Sequence, residues 1–456
     1  MSFPHAVENE SNEVDVNSRT HRVIEMFAGV GGFHHGLEQV NQQRLADGQP
    51  KAFEVVWASQ WEPGCKKQRA AQVYAARWGH VPVSRDIFKV LEDPEELARI
   101  AALAPTILVG GFPCQDYSVA RPAPKSEGLV GKKGTLWWAI HRLLAIRRAA
   151  GQPIEQVLLE NVDRLINSPT ACRGRDFAII LSSLNDLGYA VSWQVVNAAD
   201  YGFAQRRRRV FMVAVHESTE EFRSWERNLS DRPTCWLTTL APLARALPID
   251  LKSAVVTFDL GGSVLETQAS YQPTAAGKSR FGKVGVCIRG KVVTAAARAT
   301  VIADYSAFTG KFAATTLGDV VSGTIDVPPA FYLDEPTIAR WAEAKGAKSV
   351  ARVAASGFAY TFSEGAMPFP DPLDRPCRTV ITSEGGRAVA RTKHVIRDAT
   401  GQLRRLTPDE LDELTGFPRG FTALAGVSDA QRAFLMGNAL VTGVVARIGA
   451  AMADSL

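Results

Sequence analysis

The chain has 456 residues, 46% of them hydrophobic and 22% charged, proportions of a globular protein that exclude a disordered or fibrous chain. Its 52 basic and 47 acidic side chains leave a net charge of +5, which by itself neither requires nor rules out a polyanionic partner. Six cysteines (Cys65, Cys114, Cys172, Cys235, Cys287 and Cys377) stand far apart without a Cys-x-x-Cys pair. A disulfide scaffold or metal site therefore has no support, and single thiols in a reducing compartment fit better.

Residues 1–20 carry Glu8, Glu10, Glu13 and Asp15 and no apolar stretch, so 1–21 reads as a polar, flexible lead-in and not as a signal peptide. No run reaches the roughly 18–20 apolar residues of a membrane span, and a cytoplasmic protein is expected. From Arg22, short apolar runs at 23–27, 55–58, 106–109, 157–159, 191–196 and 210–214 alternate with helical stretches. One such stretch, 136–149, has Leu136, Ile140, Leu143 and Leu144 on one face and Gly151 beyond its end. This alternation predicts an α/β domain over 22–216 with a doubly wound, mostly parallel sheet. Residues 217–375 are rich in Gly, Thr and Val with weak helical periodicity, and read as a smaller β-rich or irregular domain. Helical signals return at Thr407-Pro408-Asp409-Glu410, an N-cap with Pro in the first turn. A last helix from about Gly437 makes 376–456 a return segment that completes the first domain.

The first strand breaks into Phe27-Ala28-Gly29-Val30-Gly31-Gly32-Phe33. Glycines at a strand-to-helix turn let a cofactor approach the backbone near a helix N-terminus, although a tight turn or a dinucleotide site would look alike. The second strand ends at Ser59-Gln60-Trp61-Glu62, and a third strand end is read at Asp86-Ile87. A carboxylate there suits ribose hydroxyls, the aromatic can stack on adenine, and Asp86 can accept from an adenine amino group. Each alone fits a surface charge or core aromatic; three at successive strand ends favour an adenosyl ligand. After the strand 107–109 comes Gly110-Gly111-Phe112-Pro113-Cys114-Gln115-Asp116-Tyr117-Ser118. A lone cysteine is usually a small buried hydrophobe, but this one stands where open α/β sheets bind ligands. Residues 119–134 carry Arg121, Lys125, Lys132 and Lys133 among three glycines, the composition of a basic lid or of a plain surface loop. Glu160-Asn161-Val162 places a carboxylate at another strand end. Gln205-Arg206-Arg207-Arg208-Arg209 leads into the strand at Val210, where alternation would put Arg207 and Arg209 on one face.

With FAGVGG (27–32), GGFPCQDYS (110–118), ENV (160–162), QRRRRVF (205–211) and GNAL (437–440) in this order, the chain resembles a DNA cytosine-5-methyltransferase of the bacterial type. The resemblance spans 22–216 and about 375–450, and 217–375 corresponds to the family's variable target-recognition region. It implies a Rossmann-like fold that binds S-adenosylmethionine and methylates carbon 5 of a cytosine flipped out of duplex DNA. The setting would be a restriction-modification system or an orphan modification enzyme. By resemblance Cys114 is the nucleophile that adds to carbon 6, Glu160 holds the ring N3 and exocyclic amine, Arg209 contacts O2, and Arg207 supports the same pocket. The cofactor site takes Phe27, Ala28, Gly29, Gly31, Gly32, Trp61, Asp86, Ile87, Pro113, Leu136, Asn438 and Ala439. Many members carry an acidic residue just before the stacking aromatic; here Gln60 stands there and Glu62 lies just beyond, so either one binds the ribose.

Gln115, Ser118 and Arg121 near the nucleophile are expected to meet DNA. So are two basic segments, 278–298 with Lys283 and Arg289, and 375–405 with Arg387 and Arg391. Double-stranded DNA is the expected partner of a monomer, with a companion restriction endonuclease acting on the same site. The same chemistry on transfer RNA is an alternative that the long 217–375 segment disfavours. A dinucleotide-dependent oxidoreductase would leave Cys114, Glu160 and the arginines without roles, and a catalytically silent DNA-binding relative would not need them all.

Overall fold

A computed structural model of the chain describes residues 19–80, 82–112, 136–261, 263–353 and 357–454. Pro113, Cys114, Gln115, Ser118 and Arg121, and the lid expected at 119–134, lie outside the described residues.

The described residues enter the fold at β1 (His21–Met26), and residues 1–18 of the expected lead-in lie outside them. The chain continues through β2 (Phe53–Ser59), β3 (Ile107–Gly111), β4 (Gln156–Val162), β5 (Tyr189–Asn197) and β6 (Arg208–His216). Then come β7 (Ile249–Leu251), β8 (Val256–Asp259), β9 (Val284–Ile288), β10 (Lys291–Ala295) and β11 (Ala297–Ala299). Among the described residues, nine of these form one sheet in the order β2-β1-β3-β4-β6-β5-β9-β10-β8, and β7 pairs with β11. The strands β2, β1, β3 and β4 are parallel, and from β6 onward each strand reverses its neighbour.

Side-chain alternation divides the core between the two faces of this sheet. Val23, Ile107, Val109, Leu158, Phe211 and Val213 belong to one cluster, while Ile24, Met26, Leu108, Val157, Leu159, Val210 and Met212 belong to the other. The first face is covered by α1 (Gly32–Ala46) and by the C-terminal helix Thr442–Ala453. On the second face lie α3 (Ile87–Val90), α4 (Pro94–Ala102), α5 (Trp137–Ala149) and α6 (Arg175–Asp186), whereas α2 (Arg69–Trp78) sends Ala70 and Val73 into a separate cluster. The doubly wound parallel half is thus the one that alternating strands and helices predict.

The expected boundary at 216 does not mark a break. Strands β8, β9 and β10 extend the same sheet beyond β5. Every residue of β9 is buried, and a strand covered on both faces shows no hydrophobic alternation in its sequence, which is why 217–375 looked irregular. The separate lobe gathers later, around the helices Leu317–Ser322, Glu335–Lys345, Pro408–Leu414 and Asp429–Asn438. Two hairpins accompany them, β12 (Lys348–Val353) with β13 (Ala359–Glu364) and β14 (Ile396–Arg397) with β15 (Leu403–Arg404). Thr407 and Glu410 form the reciprocal cap at the start of Pro408–Leu414. Val380, Leu406, Leu411, Leu414, Phe417 and Met436 fill this lobe's core, with Val30 and Val73 reaching in from the first lobe.

Among the described residues one run, Asp429–Ala453, is long and apolar enough to cross a membrane. It is broken at Ala439–Val441, and its second half packs on α1. That helix pair is close because of its glycines. A Cβ at Gly36 would lie 2.6 Å from Val445 and 2.8 Å from the Thr442 carbonyl oxygen, and one at Gly449 would lie 3.0 Å from Leu37. Alanine at Gly36 would gain about 1 kcal/mol of helix propensity, yet overpacking costs about 1–3 kcal/mol and here the obstacle includes backbone. Gly36→Ala is therefore expected to lower the denaturant midpoint, measured by urea unfolding; an unchanged or raised midpoint would contradict this packing.

Candidate active site

The parallel strands end together. Met26, Gly111 and Val162 close β1, β3 and β4 on one edge of the sheet, and β2 ends beside them at Ser59. Strand β6 runs the other way and so begins at that edge, with Arg209 opposite Val162 and Phe211 opposite Glu160. The Nε of Arg209 donates to Glu160 Oε1 at 2.7 Å, with the side chains 18% and 14% exposed. Shielded from bulk water, this attraction exceeds that of a surface pair. The other carboxyl oxygen faces Gly111, where a Cβ would stand 3.2 Å from Glu160 Oε2. Glycine at 111 therefore leaves the carboxyl room on its β3 side. Asn161 is buried and donates to the Phe112 carbonyl at 3.3 Å, fixing the backbone that leads to residue 113.

Arg207 does not share the position of Arg209. Strand β6 begins only at Arg208, so strict alternation does not reach back to it. Its guanidinium is buried and donates to the carbonyls of Val380 at 3.1 Å and Gly437 at 3.0 Å. Gln205, fully buried, works beside it. Its Oε1 accepts from Val380 N at 3.1 Å and from Arg207 Nη1 at 3.3 Å, and its Nε2 donates to the Leu414 carbonyl at 3.0 Å. The arginine segment is thereby stitched to the return segment. Arg208, exposed, pairs with Asp163 at 3.2 Å.

The glycine-rich turn after β1 holds Phe27, Gly29 and Gly31 at φ of 57°, 58° and 90°. A left-handed phenylalanine is strained, and such residues gather at ligand sites. The turn is pinned by Ala28 N to Ser59 O at 2.9 Å and by Gly31 N to Ala28 O at 2.8 Å. Gln60, largely buried, accepts from Gly29 N at 2.7 Å, so its amide oxygen serves the turn itself. A Cβ at Gly29 would meet nothing within 4 Å, whereas Gly32 is packed on Leu440 of the GNAL segment. Next to Gln60 the Trp61 ring is 39% exposed. Glu62 is half-buried, and burial pushes its carboxyl above the usual range. Asp86 caps α3 by accepting from Phe88 N at 3.0 Å, with Ile87 buried below it. Leu136 stands at the start of α5, Asn438 is exposed at the end of its helix, and Ala439 follows half-buried.

Beneath the turn lies Glu25, a residue with no role expected from sequence. It is wholly buried, takes hydrogen bonds from the Tyr74 hydroxyl at 3.2 Å and from the Phe33 and His34 backbone, and is pushed up to about 8 by burial. A carboxyl inside the apolar run 23–27 was the available signal. Gln205 and Gly111 were visible within their motifs, but nothing in their spacing disclosed the contacts they make.

The basic positions divide. Lys283 is exposed near the site edge, its carbonyl accepting from Val195 N at 2.7 Å. Arg289 sits at the β9–β10 turn, at the opposite end of the sheet, paired with Glu217 at 2.7 Å and Glu226 at 3.2 Å. Arg387 is exposed, and Arg391 pairs with Glu364 at 2.6 Å.

Fold and strand-edge arrangement together are those of an α/β methyltransferase. The family model for C-5 cytosine-specific DNA methylase matches residues 21–279 and 294–454. The chain is 37% identical over 432 residues to Type II methyltransferase M.Sau3AI of Staphylococcus aureus, covering 94% of each protein. It is 32% identical over 219 residues to Type II methyltransferase M.SsoII of Shigella sonnei, covering 48% of this chain and 47% of that one. Among solved structures, the Entamoeba histolytica methyltransferase EhMeth matches over 96% of this chain and 99% of its own, with a TM-score of 0.53 and 12% identity. The S. pombe Dnmt2 methyltransferase matches over 94% and 96%, with a TM-score of 0.52 and 14% identity. Both structures are alike in fold. The chain belongs to the C-5 cytosine-specific DNA methylase family and is a DNA (cytosine-5-)-methyltransferase, which favours DNA over the transfer-RNA alternative.

Proposed function

We propose that the chain methylates carbon 5 of a cytosine flipped out of a specific duplex DNA sequence, with S-adenosylmethionine as donor and Cys114 as covalent nucleophile. The observation that carries this reading is the Glu160–Arg209 pair beside Gly111, at the strand end that leads into Pro113 and Cys114. Carbon 5 of cytosine is a poor nucleophile. Addition of the Cys114 thiolate to carbon 6 makes the ring an enamine, with electron density moving toward N3. Glu160 holds N3 and the exocyclic amine through the oxygen that faces Gly111, and is the group that can deliver a proton there. Arg209 fixes the other oxygen and offers its guanidinium to the cytosine O2. Arg207, through Val380 and Gly437, positions the segment that carries Arg209. Loss of the carbon 5 proton then expels Cys114 as thiolate. Flipping the base costs a few kcal/mol, to be offset by phosphate contacts from Lys283 and Arg387, whose side chains are exposed, and by Gln115, Ser118 and Arg121, while Arg391 is engaged by Glu364.

The residues at the ends of β1 and β2 fit the methyl donor. The open side of Gly29 and the exposed Trp61 ring offer a backbone cradle and a stacking surface, and we assign Phe27, Ala28, Gly31, Gly32, Asp86, Ile87, Pro113, Leu136, Asn438 and Ala439 to the same site by the family resemblance. When bound, S-adenosylmethionine supplies an electrophilic methyl group on its sulfonium. Since Gln60 already serves Gly29, the ribose falls to Glu62. We place the enzyme in a bacterial cytoplasm as a monomer on nucleoid DNA, with a restriction endonuclease of the same site as its companion, in keeping with relatives named Type II methyltransferases.

Cys114→Ala is expected to abolish the covalent complex with duplex DNA containing 5-fluorocytosine, read on a denaturing gel; a persisting complex would overturn the assignment. Glu62→Ala is expected to weaken S-adenosylmethionine binding roughly tenfold or more, as loss of a charged hydrogen bond does. Unchanged affinity by titration calorimetry would transfer the ribose to Gln60.

A further inference from the structure

Between Trp61 and α2 the chain runs through Glu62-Pro63-Gly64-Cys65-Lys66-Lys67-Gln68. Residues 63–67 are all exposed, belong to no strand or helix, and turn at Gly64 with a φ of 79°. None of them anchors the loop in the core. Gln68 supplies the anchor instead. Its Oε1 accepts from Glu62 N at 2.7 Å, and its Nε2 donates to the carbonyls of Glu62 at 3.0 Å and Cys65 at 2.9 Å. The side-chain amide thus pairs with the Glu62 backbone in both directions, as a residue opposite it in a β-ladder would. A turn bond from Cys65 N to the Glu62 carbonyl at 3.2 Å closes the same segment.

Gln68 can hold the loop because its own backbone is fixed. It stands at the N-cap of α2, where Ser, Thr, Asp or Asn usually caps the helix, yet its side chain makes no capping bond and reaches back into the loop. Behind it, α2 buries Ala70 and Val73 in the core of the small lobe. Tyr74, fully buried, donates to Glu25 beneath the glycine turn at 3.2 Å. At the far end of α2, Arg77 donates to the carbonyls of Phe421 at 2.6 Å, Gly420 at 2.7 Å and Ala423 at 3.1 Å. On the other side of Glu62, Gln60 N donates to the Val83 carbonyl at 3.0 Å while Gln60 Oε1 holds Gly29. Trp61 and Glu62 are therefore fixed from both sides, by one glutamine before them and one after. The clamp grips the backbone of Glu62 and not its half-buried carboxyl.

We propose that Gln68 is a positioning residue for the methyl donor: by clamping the Glu62 backbone it aims the Glu62 carboxyl at the ribose hydroxyls before the cofactor arrives. The proposal rests on the assignment of the ribose to Glu62 made above. An exposed loop samples many conformations, and a carboxyl carried on it loses that freedom at each binding event. Ordering the loop beforehand removes this cost from the binding step. The grip is the same before and during methyl transfer, so it raises affinity for the donor without lowering the barrier. Glutamine suits the task because its neutral amide both donates and accepts, whereas a carboxylate at 68 would only accept and would repel Glu62.

The test is titration calorimetry of S-adenosylmethionine with the full chain as wild type, Gln68→Met, Glu62→Ala and the double variant. Methionine keeps the length of the side chain and removes both hydrogen-bonding ends. Gln68→Met is expected to weaken binding roughly fivefold to tenfold, as loss of one or two neutral hydrogen bonds does. The KM for S-adenosylmethionine should rise by the same factor with kcat unchanged. In the double variant the loss should stay within about threefold of that in Glu62→Ala alone, because the clamp acts through Glu62. Trypsin cleavage at Lys66 and Lys67 without cofactor should be several times faster in Gln68→Met, with the thermal midpoint near that of the wild type because no helix cap is lost. Unchanged affinity or unchanged cleavage in Gln68→Met would overturn the proposal. So would losses that multiply in the double variant, or a fall in kcat in place of a rise in KM. Unchanged affinity in Glu62→Ala would instead overturn the assignment of the ribose to Glu62.

Discussion

The reversal of strand direction between β4 and β6 is the constraint on which the site depends. In an all-parallel sheet every strand would bring its C-terminal end to the cofactor edge, and the residues preceding a strand would lie at the far side. Because β6 is antiparallel to β4, the arginine segment that opens β6 arrives where β4 ends, and Arg209 meets Glu160 at 2.7 Å. On the reading proposed above, Glu160 engages the base with one oxygen and needs the other held, and a guanidinium one strand away does this without a flexible loop. Gly111 on the neighbouring strand leaves room for the second oxygen of Glu160.

The site also ties the two lobes together. Gln205 and Arg207 bind Val380, Leu414 and Gly437, and the helix after Gly437 returns to α1 through the close approach at Gly36. The chain thus crosses from the sheet to the small lobe and back within reach of the proposed reaction centre. Movement of the small lobe would be felt at Arg207 before it reached Arg209, because Arg207 binds Val380 and Gly437 of the return segment.

Much of this was legible in the sequence because it depends on local chemistry. Alternating apolar runs and amphipathic helices give the doubly wound half, glycines mark the turn after β1, and ordered motifs mark the strand ends. What escaped depends on long-range pairing. Strand β9 is buried on both faces and carries no alternation, so its union with β5 was invisible and the boundary at 216 was drawn too early. Arg207 looked like a partner of Arg209 because strand alternation was extended one residue before the strand begins. Arg289 counts as a basic residue in any composition, yet two glutamates far away in sequence neutralise it. Gln60 stands where an acid was expected, and only the fold shows its oxygen bound to Gly29.

The central claim is that Glu160 and Arg209 act as one unit in the proposed methyl transfer. A double-mutant cycle on the single-turnover rate, with Glu160→Gln, Arg209→Ala and both together, tests it directly. Each single change is expected to slow transfer by roughly a hundredfold or more, as loss of an acid–base group does. The double variant should then fall within a few-fold of the slower single one, because coupled residues are not additive. Losses that simply multiply would show that the two side chains act independently and would contradict the claim.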